Sequence, residues 1–218
     1  MEDSLFMIQR QIMQYVDDIK HHDDIKPEEI PEYRLYISQL EEFFDKKLGK
    51  AAGDEEEKKA ISKTMIQNYI KEGLLMPPNG KCYNRGHVIL LALIYNLKSI
   101  LTIKDIKKLL SPIFSTESQE ENREENEEDD ESIKRIEYLY NTYLELKQKD
   151  SYKELLTNKL DAIYDYLNDK PEITEPWYTA HLLLLVLILI EQANVRKKIA
   201  EYIINQHFSL IFDQDKEP

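Results

Sequence analysis

The chain has 218 residues, 42% of them hydrophobic, with only 5 Gly and 8 Pro. That is enough apolar material for one large domain or two small ones, and too few turn formers for a sandwich or barrel. Abundant Leu, Ile, Lys and Glu point instead to an all-α fold with almost no sheet. A single Cys excludes an internal disulfide framework and a Cys-rich zinc site. The opening MEDSLFMIQR has neither the basic nor the apolar region of a secretion signal. The longest apolar run, Leu182 to Ile190, is far short of the roughly 20 residues of a spanning helix. The expected location is the cytoplasm, with no membrane partner.

The net charge of −13 argues against nucleic acid only as an average. From Lys58 to Leu110, nine Lys and Arg85 face only Glu72 and Asp105, a local +8 that leaves −21 for the remainder. Much of that deficit lies in Glu117 to Glu131, where ten acids face Arg123 for a net −9. With no apolar residue between Phe114 and Ile133, the block reads as a solvated, disordered linker. The chain then divides into residues 1–114, an acidic linker 115–132 and a helical region 133–212.

In chain order, Leu5, Ile8, Ile12, Tyr15, Val16 and Ile19 recur at helical spacing and end near Lys20. His21 to Pro31 reads as a polar loop. A second helix spans Arg34 to Leu48, and Gly49 to Glu57 reads as a loop. Ser62 then caps a helix over Lys63 to Glu72, with Ile61 stapled to Ile66 and Gly73 at its end. Met65, Ile66, Tyr69 and Ile70 share one face of it, and Thr64, Gln67, Asn68 and Lys71 the other. Gln and Asn can bond adenine bidentately in the major groove, while Thr and Lys suit phosphates or base edges. Pro77, Pro78, Asn79 and Gly80 form a turn, and with Lys81, Tyr83 and Arg85 they suggest a small basic wing. His87 to Leu101 is a helix apolar on nearly all sides. Thr102 to Asp105 is a capping box opening a helix that turns Ile103, Ile106, Leu109 and Leu110 inward until Pro112 stops it.

The order Tyr69, Gly73, Leu74, Leu75, Pro77 or Pro78, Gly80, Tyr83, then Thr102 to Leu110 resembles the MerR family DNA-binding domain. That family sets a Tyr-Tyr-Glu-x-x-Gly-Leu-Leu recognition helix before a Pro- and Gly-containing wing and a helix pair joined at Ser-Leu-x-Glu-Ile. More closely, Thr64 to Lys71 with Gly73-Leu74-Leu75 and His87 onward resembles an uncharacterised bacterial family. It is catalogued as domain of unknown function eighteen thirty-six and itself regarded as MerR-like. The resemblance covers Ile30 to Leu110 and implies a winged helix-turn-helix. Gln67 stands where the MerR recognition helix usually has Arg, and Asn68 and Ile70 replace a Tyr and a Glu, so base preference does not carry over. Residues 49–61 separate the two helices, where a helix-turn-helix normally has three or four residues.

Beyond the linker, Ile133 to Leu167 allows one long helix, or two if Ser151 and Glu154 cap a second. Thr174-Glu175-Pro176 opens a last helix from Trp177 to about Gln206. A helical hairpin or bundle here would bury Leu182 to Ile190 against Tyr-rich neighbours and suits dimerisation or an effector site. The expectation is a homodimer through these helices, because a half-site reader gains affinity and register by symmetry.

Each attractive site has a plainer reading. His21-His22-Asp23-Asp24 lacks metal-ligand spacing. His87 and His181 open apolar helices and read as capping or interface residues. Cys82 beside Lys81 is more simply a small side chain than a redox sensor. The fourteen Tyr sit mostly at core spacing, and Lys104, Lys107 and Lys108 read as a solvated face. No catalytic motif is present. The expectation is a non-catalytic transcriptional regulator without cofactor, reading double-stranded DNA through Lys63, Thr64, Gln67, Asn68, Lys71, Asn79, Lys81 and Arg85. The rival is a protein-interaction module on the same scaffold.

Overall fold

The computed structural model describes residues 7, 9–16, 24–49, 59–114, 125–149, 152–168 and 177–208. In chain order these give α1 (residues 9–16), β1 (Leu35–Tyr36), α2 (Ile37–Leu48), α3 (Lys63–Lys71), β2 (Cys82–Tyr83) and α4 (Arg85–Leu97). Then follow α5 (Ile103–Phe114), α6 (Glu125–Lys149), α7 (Tyr152–Asn168) and α8 (Trp177–Ile203), which runs into a π turn over Ile204–Phe208. The described chain is mostly helical, as its composition suggested. Two compact units emerge: His22–Glu145 with Ala200–Pro218, and Met1–His21 with Leu146–Ile199.

The larger unit is built around α4. Its Gly86 to Ala92 and Ile94 are all buried, so a helix without a polar side becomes the central one, and each neighbour presents one apolar stripe to it. Leu40, Phe44 and Leu48 come from α2, Ile66 and Tyr69 from α3, and Ile106 and Leu110 from α5. Leu74, Leu75 and Ile94 close the same core, while Leu97 is only half-buried.

The segment expected to be polar, His21 to Pro31, contributes Ile25 and Ile30 to this core and a 3-10 turn over Pro27–Glu29. The helix expected from Arg34 starts at Ile37, because Leu35 and Tyr36 pair antiparallel with Tyr83 and Cys82. Pro112 does not stop α5. A proline leaves the carbonyl four residues back without its helical donor, and here the Ser111 hydroxyl donates to that Lys108 carbonyl at 2.8 Å. Ile103, expected inward, is exposed at the first turn of α5.

The expected boundary at the acidic block moves as well. Helix α6 begins at Glu125, inside that block, and the remainder of the block to residue 124 lies outside the described residues. From α6, Ile136, Tyr140 and Leu144 pack into the larger core. The Tyr140 hydroxyl, its pKa pushed up by burial and by the nearby Asp24 charge, donates to the Ile25 carbonyl at 2.8 Å. A Cβ on Gly86 would sit 3.3 Å from Ile133 Cγ1 and 3.0 Å from Met76 Cε. The missing side chain there is what lets α6 approach the start of α4.

In the smaller unit, Leu156, Leu160 and Ile163 of α7 pack with Leu185 of α8, and Ile12, Met13 and Val16 of α1 lie against them. The chain's start, expected beside the winged segment, is therefore grouped with the last helices. His181 is buried, with the Tyr164 ring centroid at 6.1 Å. Of the run Leu182 to Ile190 only Leu185 is fully buried; Leu183, Val186, Leu187, Leu189 and Ile190 are exposed, against the expectation that the whole run would be covered.

Candidate nucleic-acid interface

Helix α3 is fastened at both ends, and that fixes which face it shows. At the start the Ser62 hydroxyl accepts from the Met65 N–H at 3.3 Å, satisfying one of the first-turn donors that a helix leaves unpaired. The Lys63 N–H donates to Glu41 Oε1 at 3.2 Å, and the Ala60 N–H to Asp45 Oδ1 at 3.2 Å. Two carboxylates of α2 thus hold the chain entering α3. The long segment between the two helices, mostly outside the described residues, is bypassed by these contacts.

Glu41 also pairs with the Lys59 ammonium at 3.0 Å. That hydrogen bond, with the one from Lys63, holds its carboxyl below the usual range against the opposing effect of burial. Sequence reasoning missed Glu41 and Asp45, although a signal existed. Glu41 lies on the buried stripe with Leu40, Phe44 and Leu48, and an acid on an apolar stripe demands a partner.

At its other end α3 closes on Gly73 at φ +68°, a conformation that costs glycine little. The Leu74 N–H returns to the Tyr69 carbonyl at 2.8 Å. A Cβ on Gly73 would lie 3.3 Å from Lys107 Nζ, so this glycine also admits the tip of an α5 lysine to the exit of α3.

With Ile66 and Tyr69 buried, the opposite face carries Lys63, Thr64, Gln67, Asn68 and Lys71, all exposed. Thr64, Gln67, Asn68 and Lys71 are spaced i, i+3, i+4 and i+7, so one side presents all four. No acidic residue lies within α3.

The turn before β2 places Asn79 and Lys81 in solvent around Gly80 at φ +63°, with the Cys82 N–H on the Asn79 carbonyl at 3.1 Å. Tyr83 is buried, its ring edge-on to His87 at 5.2 Å. His87 acts as a cap: its Nδ1 accepts from the Asn84 N–H at 3.1 Å, and its own N–H donates to Asn84 Oδ1 at 3.2 Å.

Arg85 is the one expected contact that does not fit the interface. It is the first residue of α4 rather than part of the turn. Its guanidinium donates to the Ile30 carbonyl at 2.6 Å and the Pro27 carbonyl at 2.7 Å, and pairs with Glu137 of α6 at 2.5 Å. A guanidinium with three of its N–H groups engaged on three protein oxygens ties the Pro27–Glu29 turn to α4 and α6, a structural commitment that competes with a phosphate contact.

Lys98 is also drawn inward. Its ammonium donates to the Ala60 carbonyl at 3.3 Å over the Tyr95 ring, and burial lowers its pKa. The +8 of this stretch therefore overstates the charge a ligand would meet. Among the described residues of this stretch, Lys63, Lys71, Lys81 and Lys104 remain as exposed cations, beside Lys59 in its pair with Glu41.

Among the described residues no group of three or more His, Cys, Asp or Glu is placed to hold a metal ion, and no helix is long and apolar enough to cross a membrane. His21, His22 and Asp23 lie outside the described residues.

No curated protein and no solved structure matches the chain. A family model described as a domain of unknown function, DUF1836, matches residues 25–143. The match begins at Ile25 and takes in Tyr140, the two residues joined by the buried hydrogen bond between α6 and the loop before β1. The match covers more than half of the 218 residues, and the chain belongs to the DUF1836 family.

Proposed function

We propose that this protein is a DNA-binding transcriptional regulator whose α3 enters the major groove. On this reading α2 and α3 are the two helices of a MerR-like helix-turn-helix. The turn at Asn79 to Lys81, with β1 and β2, is its wing. The observation that carries it is the outward face of α3: Thr64, Gln67, Asn68 and Lys71 are exposed together on a helix fixed by Ser62 and Glu41 at one end and Gly73 at the other.

A helix about 10–12 Å across with its side chains is admitted by a major groove about 12 Å wide, and from Thr64 to Lys71 this face would run roughly 10 Å along it at 1.5 Å per residue. Gln67 and Asn68 supply the amide pairs that discriminate adenine. Lys63, Lys71 and Lys81 supply the sequence-independent attraction to phosphate. Three phosphate contacts imply a slope of log affinity on log salt of about −3 per protomer.

Selection from a genomic library at low salt, followed by anisotropy titration of the recovered duplex, tests the reading. Gln67→Ala should cost on the order of 1–3 kcal/mol on the selected site and little on random DNA.

The second reading, a protein-interaction module, is favoured by the inward commitment of Arg85 and Lys98, which leaves few exposed cations near α3 on a chain of net charge −13. It requires that the intact chain pass through heparin unretained and shift no duplex at low salt.

A further inference from the structure

The strongest unexplained surface lies on α8. His181 and Leu185 face its own unit's core, with Ala180, Leu184 and Ile188 beside them. On the opposite side Leu183, Val186, Leu187 and Ile190 are exposed by 58%, 49%, 54% and 53%. Their spacing, i, i+3, i+4 and i+7, makes a stripe two turns long, about 10 Å. Beyond Ile190 the same side continues as Asn194, Lys197 and Glu201, so the apolar stripe ends there on its C-terminal side. A run of nine apolar residues exposed on one side of a helix is the mark of an interface.

We infer that this stripe joins two copies of the chain, antiparallel, about a two-fold axis between Val186 and Leu187. Three features of the patch select a second copy. First, the spacing reads the same in both directions: reversing α8 about that midpoint sets Leu183 of one copy against Ile190 of the other, and Val186 against Leu187. An isologous interface needs this self-complementarity.

Second, the chain carries −13, and two copies repel wherever acids meet. The segment from Leu182 to Ile190 holds no charge, so like charges do not meet there. Third, the area suffices. Half-exposed Leu, Val and Ile residues contribute on the order of 50 Å² each, and with Leu189 and a polar rim the patch reaches several hundred Å² per copy, the lower end of specific interfaces. Such a contact gives a reversible dimer. It goes beyond the DNA reading and holds whether or not the protein binds DNA.

The test uses the full chain with sedimentation velocity at about 5 to 200 µM, charge substitutions on the stripe, and circular dichroism to confirm helicity. The intact protein is expected to approach twice its 25.9 kDa mass as concentration rises. Val186→Lys and Leu187→Glu, each alone, should weaken association at least tenfold, because each brings like charges together near the axis. An equimolar mixture of the two variants should recover the dimer, since the antiparallel arrangement opposes the two substitutions. Lys197→Glu, past the end of the stripe, should leave it intact.

A monomer throughout the concentration range overturns the inference. So does a dimer that Val186→Lys and Leu187→Glu leave intact. Failure of the mixture to recover overturns the antiparallel geometry. A chain that stays monomeric while sedimenting with zwitterionic phosphatidylcholine vesicles would assign the stripe to a lipid surface instead.

Discussion

The apolar core of α4 and the run Leu182 to Ile190 of α8 look alike as sequence, each a stretch of aliphatic residues with no polar side. Their surroundings differ. Around α4 the chain supplies α2, α3, α5 and α6, each with one stripe, and its residues from Gly86 to Ala92 are buried. Around α8 the partners are α7 and the short α1, enough for one side only, and Leu183, Val186, Leu187 and Ile190 remain in solvent. A helix apolar all round states a demand for cover. It does not say whether the cover lies in the same chain.

Substitution should separate the two helices first and most strongly through stability. Leu90→Ala on α4, at a site with no exposure, removes transfer energy and leaves a cavity, a loss of about 2–5 kcal/mol. Leu187→Ala on α8 should cost the monomer less than about 1 kcal/mol, because the removed atoms are half in water already. Urea unfolding at low protein concentration measures both. Equal losses would mean that Leu187 is covered within the monomer.

The carboxylates of α2 sharpen the comparison at the next level down. Glu41→Ala leaves the Lys63 N–H without its acceptor and should cost about 1–3 kcal/mol. Because the Glu41 carboxyl is held below its ordinary value of 4.5, its contribution is fully present above that pH. It is lost as pH falls through the lowered folded-state pKa. The intact chain should therefore lose stability faster than Glu41→Gln as pH drops below about 4.5, with chemical unfolding across that range as the readout. Parallel curves would remove Glu41 from the account.

The smallest effects lie with the cations. Lys71→Ala should flatten the salt dependence of DNA affinity by about one unit. Arg85→Met, which removes a guanidinium engaged on Pro27, Ile30 and Glu137, should lower stability and leave that slope unchanged. A reduced slope in Arg85→Met would return Arg85 to the interface.

Much of α3 was legible because its determinants are local. Ser62 caps, Gly73 terminates and the 3.6-residue period assigns Ile66 and Tyr69 inward and Gln67 and Asn68 outward. What escaped was set by distant partners. Leu35 and Tyr36 leave the helical pattern because Cys82 and Tyr83 pair with them. Arg85 reads as a wing cation until α6 brings Glu137 to it. Tyr140 reads as part of a separate C-terminal domain until its hydroxyl is found on Ile25. The acidic composition of residues 117–131 hid the start of α6 at Glu125, since charge pattern speaks to solvation and the anchoring residues lie farther along. A cut at residue 114 would strip Ile136, Tyr140 and Leu144 from the larger core.

The central claim, that the outward face of α3 reads DNA, is tested most directly by the ratio of affinities for a selected duplex and a random one. The measurement compares the intact protein with Asn68→Ala at one fixed low salt concentration. The account predicts that Asn68→Ala lowers the ratio roughly tenfold or more while affinity for random DNA stays within about twofold. An intact protein that binds neither duplex, or an Asn68→Ala protein with an unchanged ratio, would contradict it.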